Sequence, residues 1–228
     1  MPNEPTPPGV TLAPCFAPEA IEARSFAIID AECPEPRPFA GARWEIVRRM
    51  IHTTADFDML ALARFHPQAV DAGLAALRRG CEVFTDTEMA RCGIPLRRME
   101  PLGCRVTCFM NDPDVVARAK AEGITRATAA MDLAGDRLDG AIVVVGNAPT
   151  ALLRLLERLD AAPDGRPAPR PALVVGMPVG FVNAAESKEL LMARTDIPSI
   201  AVAGRKGGSA LAACVVNALA AMVLRERA

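Results

Sequence analysis

Ala141-Ile142-Val143-Val144-Val145-Gly146-Asn147-Ala148-Pro149 decides the fold class. Its apolar run is too short for a helix and is closed by glycine, the pattern of a strand buried on both faces. A helix-length segment, 149–161, follows at once, and the same pairing recurs outward from this point. Apolar runs at 82–85, 104–109, 172–175 and 199–203 read as further buried strands, with helix-length segments at 86–93, 112–137, 184–193 and 207–226. Strands alternating with helices predict a three-layer α/β/α domain around a mainly parallel sheet of about five strands. Two strands end in glycine, at Val145-Gly146-Asn147 and Val175-Gly176-Met177. Glycine-rich loops therefore gather at the carboxyl edge, where open α/β sheets hold their ligands.

Upstream of the alternating region, residues 1–18 carry six prolines, at 2, 5, 7, 8, 14 and 18, and read as an extended, poorly ordered tail. Residues 19–228 read as one domain, large enough to bury a full core. Pro34, Pro36 and Pro38 link a helix around 19–32 to another around 40–54, and Pro163, Pro167, Pro169 and Pro171 form a loop before the strand at 172–175. The last helix is apolar almost all round from Ala210 to Leu224, with Asn217 its lone interior polar residue. Such a helix needs cover on every side, from its own domain or partly from a second copy of the chain.

Half the residues are hydrophobic and only 4% are aromatic, which favours packed helices over a β-sandwich. The formal net charge of −1 leaves no basic footprint for nucleic acid. Seven cysteines, at 15, 33, 81, 92, 104, 108 and 214, form no CxxC pair and read as small buried hydrophobes. Cys104 and Cys108 share a spacing that places both on one strand face, but further metal ligands are not near them in sequence, so no metal is expected. With neither a signal-peptide pattern nor an uninterrupted apolar stretch of ~18 residues, the expectation is a cytoplasmic protein without a membrane partner.

Two histidines and the absence of tyrosine leave few groups able to exchange a proton near neutral pH. His52 falls on the flank of its helix with Glu45, Arg48 and Arg49, away from the face shared by Trp44, Val47 and Ile51. It therefore does not read as a satisfied core histidine. His66 precedes Pro67 at a helix start, and a structural job there suits it. A nucleotide-binding α/β protein is the competing enzyme reading, with VVVGNAP or GRKGGS cradling phosphate. Neither segment is a Walker loop or a GxGxxG turn.

Five segments, EARSFAII (22–29), IHTTADFD (51–58), GNAPTAL (146–152), GMPVGFVNAAESK (176–188) and GRKGGSA (204–210), closely resemble the precorrin-8X methylmutase family of cobalamin biosynthesis. TDTEM (85–89) and GITRATAAMD (123–132) fall in the places that the resemblance requires. It covers residue 19 to the C-terminus. It implies an isomerase that moves a methyl group between neighbouring carbons at ring C of a tetrapyrrole-derived macrocycle, with no cofactor, acting as a homodimer. IHTTADFDML, FTDTEMA and GRKGGS look more like the branch acting on cobalt-precorrin-8 than the branch acting on metal-free precorrin-8X. By the same resemblance His52 is the catalytic residue, protonating or hydrogen-bonding a ring nitrogen beside the migrating methyl. Ser25, Arg24 and Arg126 are implied substrate contacts.

A flat macrocycle fringed with carboxylates needs an apolar floor ringed by donors. Gly207, Gly208 and Ser209 would offer backbone and a helix start to it, and Arg205 and Lys206 would add charged donors. Thr85 and Thr87 add hydroxyls at the end of the first strand. Ala127 stands where the family motif has serine, and Asn183 where glycine is commoner, a position at which asparagine tolerates the left-handed conformation. A non-catalytic carrier of the same pigments is the remaining alternative.

Overall fold

The computed structural model describes residues 17–160 and 168–227. The proline-rich stretch 1–16 and most of the loop expected around Pro163–Pro171 lie outside them. Helices α1 (Pro18–Glu32) and α2 (Gly41–Thr54) come first, followed by α3 (Met59–Leu62), β1 (Ala63–Phe65) and α4 (Ala69–Arg78). The alternating part runs β2 (Glu82–Thr85), α5 (Glu88–Gly93), α6 (Leu96–Met99), β3 (Arg105–Cys108), α7 (Pro113–Glu122), α8 (Arg126–Ala134), β4 (Ile142–Val145) and α9 (Pro149–Asp160). It closes with β5 (Leu173–Gly176), α10 (Ala184–Met192), β6 (Ser199–Val202) and α11 (Ser209–Arg227).

The sheet has six strands in the order β1-β6-β5-β4-β2-β3, all pairs parallel except β1 with β6. The sequence reading missed β1. It is three residues long, too short for a period to show, and it follows the helical run Met59–Leu62 without a break. The chain steps from β2 outward to β3, then returns past β2 to β4, β5 and β6. The direction of winding thus reverses between β2 and β4, the place where doubly wound sheets open a crevice at their carboxyl ends.

Both sheet faces are buried, as the continuous apolar runs require. Ile142 and Val144 of β4 join Val83, Leu173, Val175, Ile200 and Val202 in one core, against α2, α4 and α11. Val143 and Val145 point the other way, with Phe84, Val174 and Ala201, against α8 and α9. This in-phase register makes the three layers. α11 packs within its own chain on α2, α4, α5 and α6, with Leu211 to Val216 and Leu219 buried. Of the two covers considered for this helix, the central-core one holds. α11 is long and apolar enough to cross a membrane, yet most of it is packed inside the domain.

The helix expected over 112–137 is two helices. Gly123, at φ 67°, ends α7 in the left-handed conformation, and the Thr125 hydroxyl then accepts from the Thr128 N–H at 3.1 Å to start α8. Both signals were present in the sequence. His66 has the structural role expected: its Nδ1 accepts from the Gln68 N–H at 3.2 Å and its Nε2 lies 3.0 Å from the Thr195 carbonyl.

Gly146 joins the end of β4 to the start of α11. A Cβ there would lie 2.6 Å from Ser209 Cα and 3.1 Å from Ser209 N, both backbone atoms that cannot turn aside. Gly146→Ala is expected to destabilise the domain by ~1–3 kcal/mol in urea unfolding, as overpacked core positions do. A change within ~0.5 kcal/mol would contradict this packing account.

Candidate functional site at the carboxyl edge

Asp86, directly after β2, bridges the crevice between β2 and β4. Its carboxylate is fully buried; Oδ1 accepts from the Gly146 N–H at 2.9 Å, and Oδ2 from Asn147 and Ala148 at 2.8 and 2.7 Å. Desolvation by burial pushes its pKa up, against the three N–H groups that favour the ionised form. These are the donors at the start of α9 that a bound phosphate would need. In the GRKGGS loop the Gly208 N–H likewise donates to the Met177 carbonyl at 2.9 Å. The phosphate-cradle reading thus loses three donors at the GNAP segment and one at the GRKGGS loop. Sequence reasoning took the threonines of TDTEM and passed over Asp86, although a carboxylate set immediately after a buried strand signals such an anchor.

Thr85 is buried, and its hydroxyl donates to the Thr87 carbonyl at 3.1 Å. The expectation of Thr85 as a ligand donor is thus corrected: it points inward and shapes the turn. Thr87 caps α5 by accepting from the Ala90 N–H at 3.2 Å, and its hydroxyl lies 2.9 Å from that of Ser209 at the start of α11. Gly207 is required by its own chain, since a Cβ would lie 2.2 Å from the Met177 carbonyl oxygen. Gly208 sits at φ 132° with open space around it. Arg205 stacks over Phe181 at 5.4 Å. Lys206 was expected to be a donor to ligand. Its ammonium is instead already engaged by two carboxylates of the chain, Asp56 at 2.5 Å and Asp58 at 2.7 Å.

His52 and Ser25 come together, from different helices, in one groove of about 310 Å³ lined also by Ile28, Ile29, Ile51 and Phe57. His52 stands in the last turn of α2, exposed, with its ring edge-on to Phe26 at 5.3 Å. Phe26 in turn lies beneath the guanidinium groups of Arg48 and Arg49, at 4.5 and 5.1 Å. Such contacts hold an aromatic ring in one orientation. Ser25 Oγ donates to the Ile21 carbonyl at 2.9 Å, so in this rotamer its lone pairs are what it offers a ligand. Arg24 is exposed beside it on α1. Arg126 lies at the far side of the edge, donating to the Met110 carbonyl at 3.5 Å. From β6 to β3 the edge spans four strand spacings, ~19 Å.

Asn183 adopts φ 57°, the left-handed conformation expected of it at the start of α10. Ala127 is buried in the core with Phe84, so serine at this position would not face a ligand. A roomier cavity, about 510 Å³, lies at the opposite end of β6 among Arg64, His66, Arg194 and Ser199. Both nitrogens of His66 are engaged there, which leaves this cavity without a free proton carrier.

Lys188 is the second residue that the sequence reading missed. Its side chain is fully buried, its ammonium donates to the Lys206 carbonyl at 2.6 Å, and desolvation lowers its pKa to about 8. Below pH 8 the group is charged in both folded and unfolded chains, and the folded one carries the desolvation cost. Above the ordinary lysine value, ~10.4, it is neutral in both and the cost is gone. The unfolding free energy of the wild type, measured against Lys188→Met, should therefore rise between these values by on the order of 3 kcal/mol. Parallel pH profiles for the two proteins would contradict a buried, desolvated Lys188.

A family model described as precorrin-8X methylmutase matches residues 20–222. The chain is 46% identical to a cobalt-precorrin-8 methylmutase of Salmonella typhimurium, over 89% of its own length and 94% of that protein. It is 45% identical to a precorrin-8X methylmutase of Pseudomonas aeruginosa, over the same shares of each. A crystal structure of precorrin-8X methylmutase from Thermus thermophilus superposes with a TM-score of 0.83 at 46% identity, covering 91% of this chain and 97% of that one. The chain therefore belongs to the precorrin-8X methylmutase family, a family of isomerases.

Proposed function

We propose that this isomerase moves the ring-C methyl group of cobalt-precorrin-8 to give cobyrinate, with His52 as the general acid. The observation that carries the reading is the shared groove of His52 and Ser25, two residues from separate motifs set against a wall that is apolar except for Glu32. Protonating, or hydrogen-bonding to, a ring nitrogen withdraws electron density and eases a [1,5]-shift of the neighbouring methyl. Assistance of this kind contributes typically 10²–10⁴-fold, about 3–5 kcal/mol of barrier. Phe26 supports the role by fixing the imidazole, and the exposed ring can recover its proton from solvent. Holding the macrocycle in a reactive conformation supplies the remainder.

A groove of about 310 Å³ is at the small end for a drug-sized ligand and admits only one edge of the macrocycle. Thr87, Ser209, Arg205 and Arg126 along the carboxyl edge are proposed to receive the peripheral carboxylates, with Arg24 beside the groove. Phe181 is 82% exposed, and Met89, at the start of α5, 72%. This apolar surface suits cover by the pigment and by a second copy of the chain, so a homodimer is part of the proposal, as is a cytoplasmic location. Metal-free precorrin-8X, giving hydrogenobyrinate, is the alternative substrate. Identity does not separate the two, because relatives named for each match equally well. The segments 51–58 and 204–210 favour cobalt, and in the structure they touch through Lys206 and Asp56.

The test is a single-turnover assay of the wild type and His52→Ala with each form of the substrate, followed by visible absorbance. His52→Ala is expected to bind pigment and to convert it 10²–10⁴-fold more slowly, and the wild type to turn over the cobalt form faster. Conversion by His52→Ala at the wild-type rate would remove His52 from the mechanism. Pigment binding with no conversion by the wild type would favour a carrier.

A further inference from the structure

Two lysines in series bolt the wall of the His52 groove to the sheet edge. α2 ends two residues after His52, and the next residue, Ala55, adopts φ 50°, a left-handed conformation that disfavours a Cβ. The turn that follows gives Ala55 and Phe57 to the groove wall. Its other two residues are held from outside. Asp56 Oδ1 accepts from the Asp58 N–H at 2.9 Å, and one oxygen from each carboxylate accepts from Lys206 Nζ, at 2.5 and 2.7 Å.

The opposite end of this clasp is pinned. The carbonyl of Lys206 accepts from buried Lys188, that of Arg205 accepts from the Gly180 N–H at 3.2 Å, and Gly208 donates to Met177. Gly207 packs too closely on Met177 for a Cβ to fit. The loop over 204–208 therefore cannot follow the turn if the turn shifts, and the ammonium transmits that rigidity to the groove wall. An ion pair this exposed contributes little to global stability, so its value lies in geometry.

We infer that Lys206 is a positioning residue of the methyl shift: by gripping Asp56 and Asp58 it fixes the turn after α2, and with it His52, and it does not anchor the substrate. The inference rests on the reading of His52 as the acid.

Four variants test it: Lys206→Met, Asp56→Asn with Asp58→Asn, the combination of all three, and Lys206→Arg. Single-turnover rates and product titrations are measured on each. Lys206→Met and the double asparagine variant should each lower the rate by ~10-fold or more, with product Kd within about twofold of the wild type. The combination should be no slower than either, since both remove the same contact. Lys206→Arg, which keeps charge and reach, should recover most of the rate. A raised Kd at an unchanged rate in Lys206→Met, with the asparagine variant unaffected, would make Lys206 a substrate anchor and overturn the inference. So would additive losses. If Lys206→Met does not fold, Asp58→Asn alone, at the more exposed carboxylate, must still slow turnover; an unchanged rate there overturns the clasp. His52→Ala run alongside separates the two readings. A wild-type rate in that variant removes the acid itself, whereas an inactive His52→Ala beside a fully active Lys206→Met rejects the clasp alone.

Discussion

The constraint on which the structure depends is that neither face of the sheet can meet water. Ile142 and Val144 point to one layer and Val143 and Val145 to the other, all fully buried. Each face must be roofed by helices, and α11, apolar nearly all round, can sit only in the middle of one roof. Polar chemistry is thereby confined to the strand ends. At the carboxyl end the chain reverses its winding direction between β2 and β4. The backbone donors exposed by that reversal are taken up by Asp86, a buried acceptor three residues short of Met89.

That confinement also explains how the reaction is housed. The candidate acid is not in the crevice itself. It stands on a helix outside the alternating part of the chain, at the rim where α1 and α2 pack beside α11. An imidazole on a rim can exchange protons with solvent and still touch one edge of a large flat ligand. A deeply buried histidine would be better shielded but slower to reload. The edge beyond it, with Thr87, Ser209, Arg205 and Arg126 spread along the strand ends, suits a ligand whose charges lie at its circumference.

The sequence was readable wherever one segment decides its own structure. Five strands, four of them buried and β3 a half-exposed edge, the position of His52 on the flank of α2, the left-handed Asn183 and the structural role of His66 all follow from local pattern. β1 was hidden because three residues show no period, and it exists only through its pairing with β6. The break between α7 and α8 was written in Gly123 and Thr125 and was overridden by the long helical run around them. The site was less legible, because its decisive contacts join distant positions. Asp86 meets Gly146 from 60 residues away, and Lys206 meets Asp56 across 150. An isolated lysine in a glycine loop looks like a free cation until the fold supplies its carboxylates. Lys188 could not be placed from its own segment, because nothing local shows that α10 turns it beneath the 204–208 loop.

The central claim is that the imidazole of His52, alone of the two in the chain, touches the bound macrocycle. Two histidines make a direct measurement simple: the ring nitrogen and carbon signals of histidine-labelled protein, recorded by NMR as the corrin-type product is added. The account requires the His52 signals, assigned by their loss in His52→Ala, to shift on binding while those of His66 stay in place. Unmoved His52 signals at full occupancy, or a response confined to His66, would contradict it.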